Sequence, residues 1–256
     1  MKKKEWCMVE CQEKIAAGIY SLWLETPSIA EQARPGQFVS LYCKDGSRLL
    51  PRSISLCEID RKNRRLRLVY QVVGKGTLEF STLKTGEQIS VLGPLGNGFP
   101  LEEAAGTTVF LMGGGIGIAP ILESAKQLQA EKRLILGYRN ECFLLKEFEK
   151  VGTVYTATEN GSFGIKGNVL DAVREQELSA EVIFACGPTS MLRAVKQYAE
   201  RKSIPCWISI EEKMACGIGA CLACVCRSRE VDRHSHVHNK RICKDGPVFE
   251  ASEVEL

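Results

Sequence analysis

The stretch Thr108-Val109-Phe110-Leu111-Met112-Gly113-Gly114-Gly115-Ile116-Gly117-Ile118-Ala119-Pro120 reads as an apolar strand, a glycine turn and the opening of a helix. The same alternation continues after it. Strand-like 133–138 precedes helix-like 144–150, 154–158 precedes 168–177, and 182–185 precedes 189–202. This rhythm predicts a parallel sheet with helices on its faces. Such sheets take ligands outside the carboxyl ends of their strands, which here means 113–117, 138–140, 159–161 and 186–188. Glycines let a phosphate or nicotinamide approach bare backbone, and a helix N-terminus favours an anion. The spacing alone is weak evidence, because Ile118 stands where a third glycine of a G-x-G-x-x-G turn would fall. A tight turn with no ligand fits it too. Cys186-Gly187-Pro188, at a second strand end of the same sheet, favours the nucleotide reading.

Upstream, residues 1–101 read as β-rich. An apolar run over 15–24 ends at Thr26-Pro27, and Pro35-Gly36 marks a turn before strand-like 38–43. Leu66, Leu68, Tyr70 and Val72 alternate with Arg65, Arg67, Val69 and Gln71, a period of two. Short strands between turn signals predict a small antiparallel barrel. Downstream, residues 210–256 are too few for an ordinary core and need a metal, a disulfide or a partner surface. The expected organisation is thus multi-domain: barrel 1–101, α/β domain 102–209 and a small C-terminal domain 210–256.

Composition excludes several classes. The chain has 256 residues, 45% hydrophobic and 25% charged, as in an ordinary globular protein. A net charge of +3 leaves no electrostatic footprint for nucleic acid or an acidic membrane. No apolar stretch reaches the ~18 residues of a membrane span, and the N-terminal lysines lead into no signal-peptide h-region. A soluble cytoplasmic protein is expected.

The 12 cysteines need a separate explanation. Most read as buried thiols, but Cys216, Cys221, Cys224 and Cys243 fall in one short region. Their C-x4-C-x2-C…C spacing is that of a plant-type [2Fe–2S] centre. One loop wraps the centre and turns its backbone N–H groups toward the sulfurs. Gly217 and Gly219 permit positive φ there. Zinc is the alternative, weakened because a single C-x2-C faces one distant cysteine instead of a second pair. Cys243 is the favoured fourth ligand over Cys226, which lies two residues from Cys224. His234, His236 and His238 would suit a Rieske centre, but alternating histidines among polar residues read better as an exposed hairpin.

In the barrel, Arg52-Ser53-Ile54-Ser55 sets a guanidinium fork, suited to pyrophosphate, three residues before a hydroxyl. Gly74-Lys75-Gly76-Thr77 precedes a short helix-like segment whose N-terminus would add a phosphate contact. Each motif is weak alone. Their order along the chain (anion site, glycine turn, cysteine group) carries the weight.

Together the three regions resemble the ferredoxin–NADP reductase superfamily and, with the C-terminal cysteines, the family of dihydroorotate dehydrogenase B electron transfer subunits. The resemblance rests on Glu211-Glu212-Lys213-Met214-Ala215-Cys216-Gly217-Ile218-Gly219-Ala220-Cys221-Leu222-Ala223-Cys224. Gly113 to Pro120, Gly161 to Gly167 and Cys186 to Pro188 support it. The resemblance implies an oxidoreductase subunit that carries electrons between a partner's FMN and NAD, by way of FAD and a [2Fe–2S] cluster, in pyrimidine biosynthesis. It implies that Arg52, Ser53, Ile54 and Ser55 hold FAD, with Val69, Tyr70 and Gln71 on its other side and Gly76 and Thr77 at its pyrophosphate. Gly113, Gly114, Gly115, Gly117, Ala119, Pro120, Cys186, Gly187 and Pro188 would form the nicotinamide cleft. Cys216, Cys221, Cys224 and Cys243 would ligate the cluster. No residue is assigned as a general acid or base. The implied partner is an FMN-containing dihydroorotate dehydrogenase catalytic subunit, in a heterotetramer of two of each. A related reductase subunit serving ferredoxin, sulfide or another oxidoreductase is the alternative. Ser53 stands where the family pattern has proline, and Glu159-Asn160 where it has an acidic pair. The choice between NADH and NADPH stays open.

Overall fold

A computed structural model describes residues 2–231 and 236–256. Six strands close an antiparallel barrel: β1 (Lys3–Ala16), β2 (Ile19–Glu25), β3 (Phe38–Tyr42), β4 (Arg52–Asp60), β5 (Arg65–Gln71) and β6 (Gln88–Leu95), in the order β1-β2-β5-β4-β3-β6. Its core holds Val9, Leu22, Leu24, Val39, Leu41, Leu56, Leu66 and Leu68. Two short helices, α1 (Ile29–Gln32) and α2 (Lys75–Phe80), add Ile29 and Phe80 to that core.

The apolar run 15–24 is not one strand. A turn at Ala17-Gly18 splits it into the end of β1 and most of β2, which pair as a hairpin. Most of β1 gave no sequence signal. Only Cys7, Val9 and Ala16 are buried in it, and its other positions are largely polar and solvent-facing.

The second unit is a seven-stranded sheet. In chain order its first elements are β7 (Thr108–Gly114), α3 (Ile118–Gln127), β8 (Glu131–Tyr138), α4 (Leu145–Glu149) and β9 (Thr153–Thr158). Then follow β10 (Ile165–Lys166), α5 (Val169–Glu175), β11 (Val182–Cys186), α6 (Thr189–Lys202) and β12 (Cys206–Ser209). Alternation along β7 sends Val109 and Leu111 to one face and Phe110 and Met112 to the other. On the first face, α3 and α4 share a core with Ala16, Cys57 and Val69 of the barrel. On the second, α5 and α6 supply Val169, Ala172, Val173, Leu192 and Val195. The two units are therefore joined through one continuous core.

Charges also cross that interface. Arg67 of β5 is 7% exposed, and its guanidinium donates to Ser21 Oγ at 2.8 Å, Glu58 at 2.6 Å and Glu147 of α4 at 3.3 Å. Lys126 of α3 pairs with the same Glu58. Glu123 of α3 accepts the Ile59 N–H at 2.9 Å. Removing one partner of such a buried set leaves an uncompensated charge, so the set fixes the relative placement of barrel and helices.

The C-terminal residues form a hairpin of β13 (Val225–Arg227) and β14 (Asn239–Arg241), then α7 (Ile242–Asp245) and β15 (Val248–Glu250). The chain then returns to its neighbours. β15 pairs antiparallel with β12 at the edge of the large sheet, completing the order β10-β9-β8-β7-β11-β12-β15. Cys224, Ile242, Cys243 and Phe249 share a core with the sheet and with Phe38 and Leu95 of the barrel. A segment this short lacks enough apolar surface for a core of its own and borrows one.

Candidate functional site

Two cavities and a group of thiols lie in sequence across the molecule. The first cavity, about 770 Å³, sits over the carboxyl ends of the parallel strands. Gly114 and Gly115 line it, with Tyr138, Arg139, Glu159, Asn168 and Pro188, and Ala16, Ile19 and Gln71 of the barrel close its other wall. Glu141, from the loop after β8, accepts the Ala17 N–H at 3.0 Å across the rim. Asn168 caps α5, accepting the N–H groups of Leu170 at 2.9 Å and Asp171 at 3.3 Å.

Of the residues expected in this cleft, Gly114, Gly115 and Pro188 line it. The others lie behind its wall. Ala119 and Pro120 are buried in the first turn of α3, and Cys186 is fully buried at the end of β11. Gly113 packs on Ile118, Gly117 on the Cys186 carbonyl and Gly187 on Met191. These glycines bring the two strand-end loops together. Arg139 and Glu159 come from the strand-end segments 138–140 and 159–161 expected to meet a ligand, and both line the cavity; Asn168, the cap of α5, lies outside those segments and was not anticipated.

The second cavity, about 540 Å³, belongs to the barrel. It is lined by Arg52, Ser53, Ile54 and Ser55 of β4, by Tyr70 and Gln71 of β5, by Thr77 and by 209–214. Gln71 and Ile116 line both cavities, so the two adjoin. Val69 does not reach this cavity. The strand alternation turns its side chain into the core shared with α3 and α4.

Gly76 brings α2 against the arginine. A Cβ there would sit 2.4 Å from Arg52 Nε, so only glycine leaves the guanidinium its place. The Thr77 hydroxyl is committed locally. It accepts the N–H groups of Val73 at 3.0 Å and Gly74 at 3.2 Å and donates to the Gly74 carbonyl at 3.1 Å. That leaves the threonine backbone, not its hydroxyl, for a ligand. The sequence reading also missed Met214. Ser53 Oγ donates to its sulfur at 3.3 Å, which ties the barrel to the segment just before Cys216.

The thiols meet in two pairs. The Cys216 sulfur accepts the N–H groups of Ile218 at 3.4 Å and Ala220 at 3.3 Å. Desolvation works against its ionisation, but these donors, with the N–H and thiol of Cys221, hold it down at about 6. The Cys224 sulfur accepts the Cys243 N–H at 3.4 Å. Burial, then the hydrogen bond and charge of Cys224, push Cys243 up to about 12. Gly217 and Gly219 have φ of 68° and 89°, the left-handed turns that wrap the loop around Cys216. Among the described residues, no three His, Cys, Asp or Glu side chains close on a single-ion site. Two thiol pairs instead match a centre of two metals, each taking two thiolates. A bound cation would deprotonate the raised Cys243 thiol, so the donor set fits an iron–sulfur centre.

Cys226 lies apart from these pairs. It sits opposite Lys240 in the β13–β14 ladder and donates to the Lys240 carbonyl at 3.7 Å. His236 and His238 are exposed, and His234 lies outside the described residues.

Comparison with known proteins identifies the lineage. Residues 211–255 match the family described as the iron-sulfur cluster binding domain of dihydroorotate dehydrogenase B, and residues 111–197 match the oxidoreductase NAD-binding domain. Over the full length of both chains, the protein is 42% identical to the dihydroorotate dehydrogenase B (NAD(+)) electron transfer subunit of Bacillus cereus strain B4264. The same figure holds for the subunit of Bacillus anthracis strain A0248. The chain belongs to the family of dihydroorotate dehydrogenase B electron transfer subunits. Members of this electron transfer subunit family are oxidoreductase components, which agrees with a chain in which the two adjoining cavities lie beside a cysteine group. An NADH-dependent reduced ferredoxin-NADP oxidoreductase, studied for flavin-based electron bifurcation, superposes with a TM-score of 0.85 at 30% identity, covering 97% of this chain and 89% of that one. Phthalate dioxygenase reductase shares the fold, with a TM-score of 0.61 at 18% identity over 99% of this chain and 98% of that one. No helix among the described residues is long and apolar enough to cross a membrane.

Proposed function

We propose that this chain is the electron transfer subunit of an NAD-type dihydroorotate dehydrogenase, connecting a partner catalytic subunit to NAD in pyrimidine biosynthesis. In this reading the partner carries FMN, two copies of each subunit assemble, and the complex works in the cytoplasm. When bound, FAD would supply hydride exchange with NAD, and a [2Fe–2S] cluster held by the cysteines would supply one-electron exchange.

The residues of the chain bind and align. Arg52, its guanidinium set against Gly76, would hold the pyrophosphate of the flavin nucleotide. Ser55 and Gln71, which line the same cavity, would offer hydrogen-bonding groups to the flavin's reactive edge. Gly114 and Gly115 present bare backbone to the nicotinamide nucleotide, and Pro188 holds the opposite lip. Cys216 and Cys221 would hold one iron, and Cys224 and Cys243 the other. Hydride exchange depends on stacking and distance, so no side chain needs to move a proton.

The observation that carries this reading is the adjacency of the three sites. Gln71 and Ile116 line both cavities, and Met214, two residues before Cys216, lines the flavin cavity against Ser53. The test is reconstitution of the purified chain with FAD, iron and sulfide. NADH should then reduce a one-electron acceptor, and adding the catalytic subunit should yield dihydroorotate-dependent reduction of NAD⁺. A chain that binds flavin and cluster but accepts nothing from NADH would refute the proposal.

A further inference from the structure

Ser40 lies in β3, directly opposite Ser53 in the β3–β4 ladder. Residues directly opposite in an antiparallel pair point to the same face, so the two hydroxyls share one side of the barrel wall. That side meets the segment leading into the cysteine loop. Ser53 Oγ already has a partner there, the Met214 sulfur. Ser40 Oγ lies where Gly217 passes, so close that a Cβ on Gly217 would come within 3.0 Å of it. Ser40 is fully buried, and its hydroxyl has no hydrogen-bond partner.

A buried hydroxyl without a partner is costly unless something supplies one. Gly217 follows Cys216 directly, and the Cys216 sulfur accepts its own hydrogen bonds from the same loop. The segment that Ser40 Oγ borders carries sulfur just before Gly217, at Met214 and at Cys216. We propose that the Ser40 hydroxyl donates a hydrogen bond to the sulfur shell of the iron–sulfur centre and thereby raises its reduction potential. Reduction adds negative charge to the centre, and a donor at its sulfurs stabilises that charge. Ser40 thus tunes the centre from the barrel side and takes no part in hydride exchange. The inference rests on the iron–sulfur reading of the cysteine group.

The test is a redox titration of the reconstituted full chain, followed by electron paramagnetic resonance. Ser40→Ala should keep its iron, sulfide and FAD. Its centre should reduce less readily, with the reduced-to-oxidised ratio at a fixed potential falling about tenfold, or 59 mV for one electron. Ser40→Thr, which keeps the hydroxyl, should stay near the parent value; it also serves if the alanine variant loads poorly. Ser124→Ala removes another buried hydroxyl without a partner, in α3, and should leave the potential unmoved. An unchanged or higher potential in Ser40→Ala would overturn the proposal, as would an equal fall in Ser124→Ala. A parent chain that assembles no centre would instead overturn the iron–sulfur reading itself.

Discussion

The backbone N–H of Cys243 donates to the sulfur of Cys224 at 3.4 Å, joining two residues 19 apart in sequence. The Ile242 N–H also bonds the Cys224 carbonyl at 2.8 Å, so α7 is fastened to the cysteine loop at two points. Cys226, much nearer in sequence, is held in the hairpin ladder instead. Cys243→Ser should therefore abolish most cluster assembly, whereas Cys226→Ser should keep about two irons per chain. Iron and acid-labile sulfide analysis checks this. Equal loss in both variants would reject the pairing.

Gly76 and Arg52 give a second test. A methyl group on Gly76 displaces the guanidinium, so Gly76→Ala should weaken FAD binding by about tenfold, in the range of one lost charge-assisted hydrogen bond. Flavin titration measures it. Arg52→Ala should weaken binding at least as much, and the double variant should add little beyond it. Full additivity would show that the two residues act separately.

Nucleotide preference should turn on Glu159. Its carboxylate lines the cavity over the strand ends, the proposed nucleotide site, beside Arg139, 3.9 Å away. A carboxylate at such a strand end accepts a ribose 2′-hydroxyl and repels a 2′-phosphate. Glu159→Gln should raise kcat/KM for NADPH relative to NADH by about tenfold, the scale of one such contact. Steady-state kinetics with both nucleotides decide it, and an unchanged ratio would exclude Glu159 from the discrimination.

Glu123 supplies a pH prediction. It is 4% exposed, and burial raises its carboxyl above the ordinary 4.5 despite hydrogen bonds from Gln127 and the Ile59 N–H and the nearby charge of Lys126; Glu58 raises it further. A carboxyl raised in the folded state stabilises most below its unfolded value. Its contribution is lost as pH rises through the folded value. Glu123→Gln keeps an acceptor for Ile59 and removes the ionisation. Its melting temperature should exceed that of the parent at pH 8, and the gap should close toward about pH 4.5. A gap independent of pH would refute this.

Much of the architecture was legible because periodicity reports burial. The strand–helix alternation from Thr108 onward matches the structure closely, and helix α6 begins and ends where its pattern does. The strand β1 was illegible for the same reason. Its apolar residues face both ways, Cys7 and Val9 inward and Trp6 and Met8 outward, so no alternation of apolar and polar residues marked it as strand. At the sites, the chemistry of a residue was easier to read than its direction. Val69, Ala119 and Cys186 lie in the right segments, yet their side chains turn into the core. Met214 stands in the cysteine-loop motif in sequence, but only the structure shows it facing Ser53 in the second cavity.

The amino-acid order alone determined the succession of barrel, parallel sheet and cysteine loop, together with the donor atoms each brings. Those follow from side-chain chemistry and from spacing within a few residues, which local backbone geometry preserves. The tertiary structure decided which distant groups meet: Cys243 with Cys224, Ser53 with Met214, and Gln71 and Ile116 on the shared wall of two cavities. Such contacts depend on how sheets and helices bury their apolar faces against one another, and that is settled by packing over the whole chain.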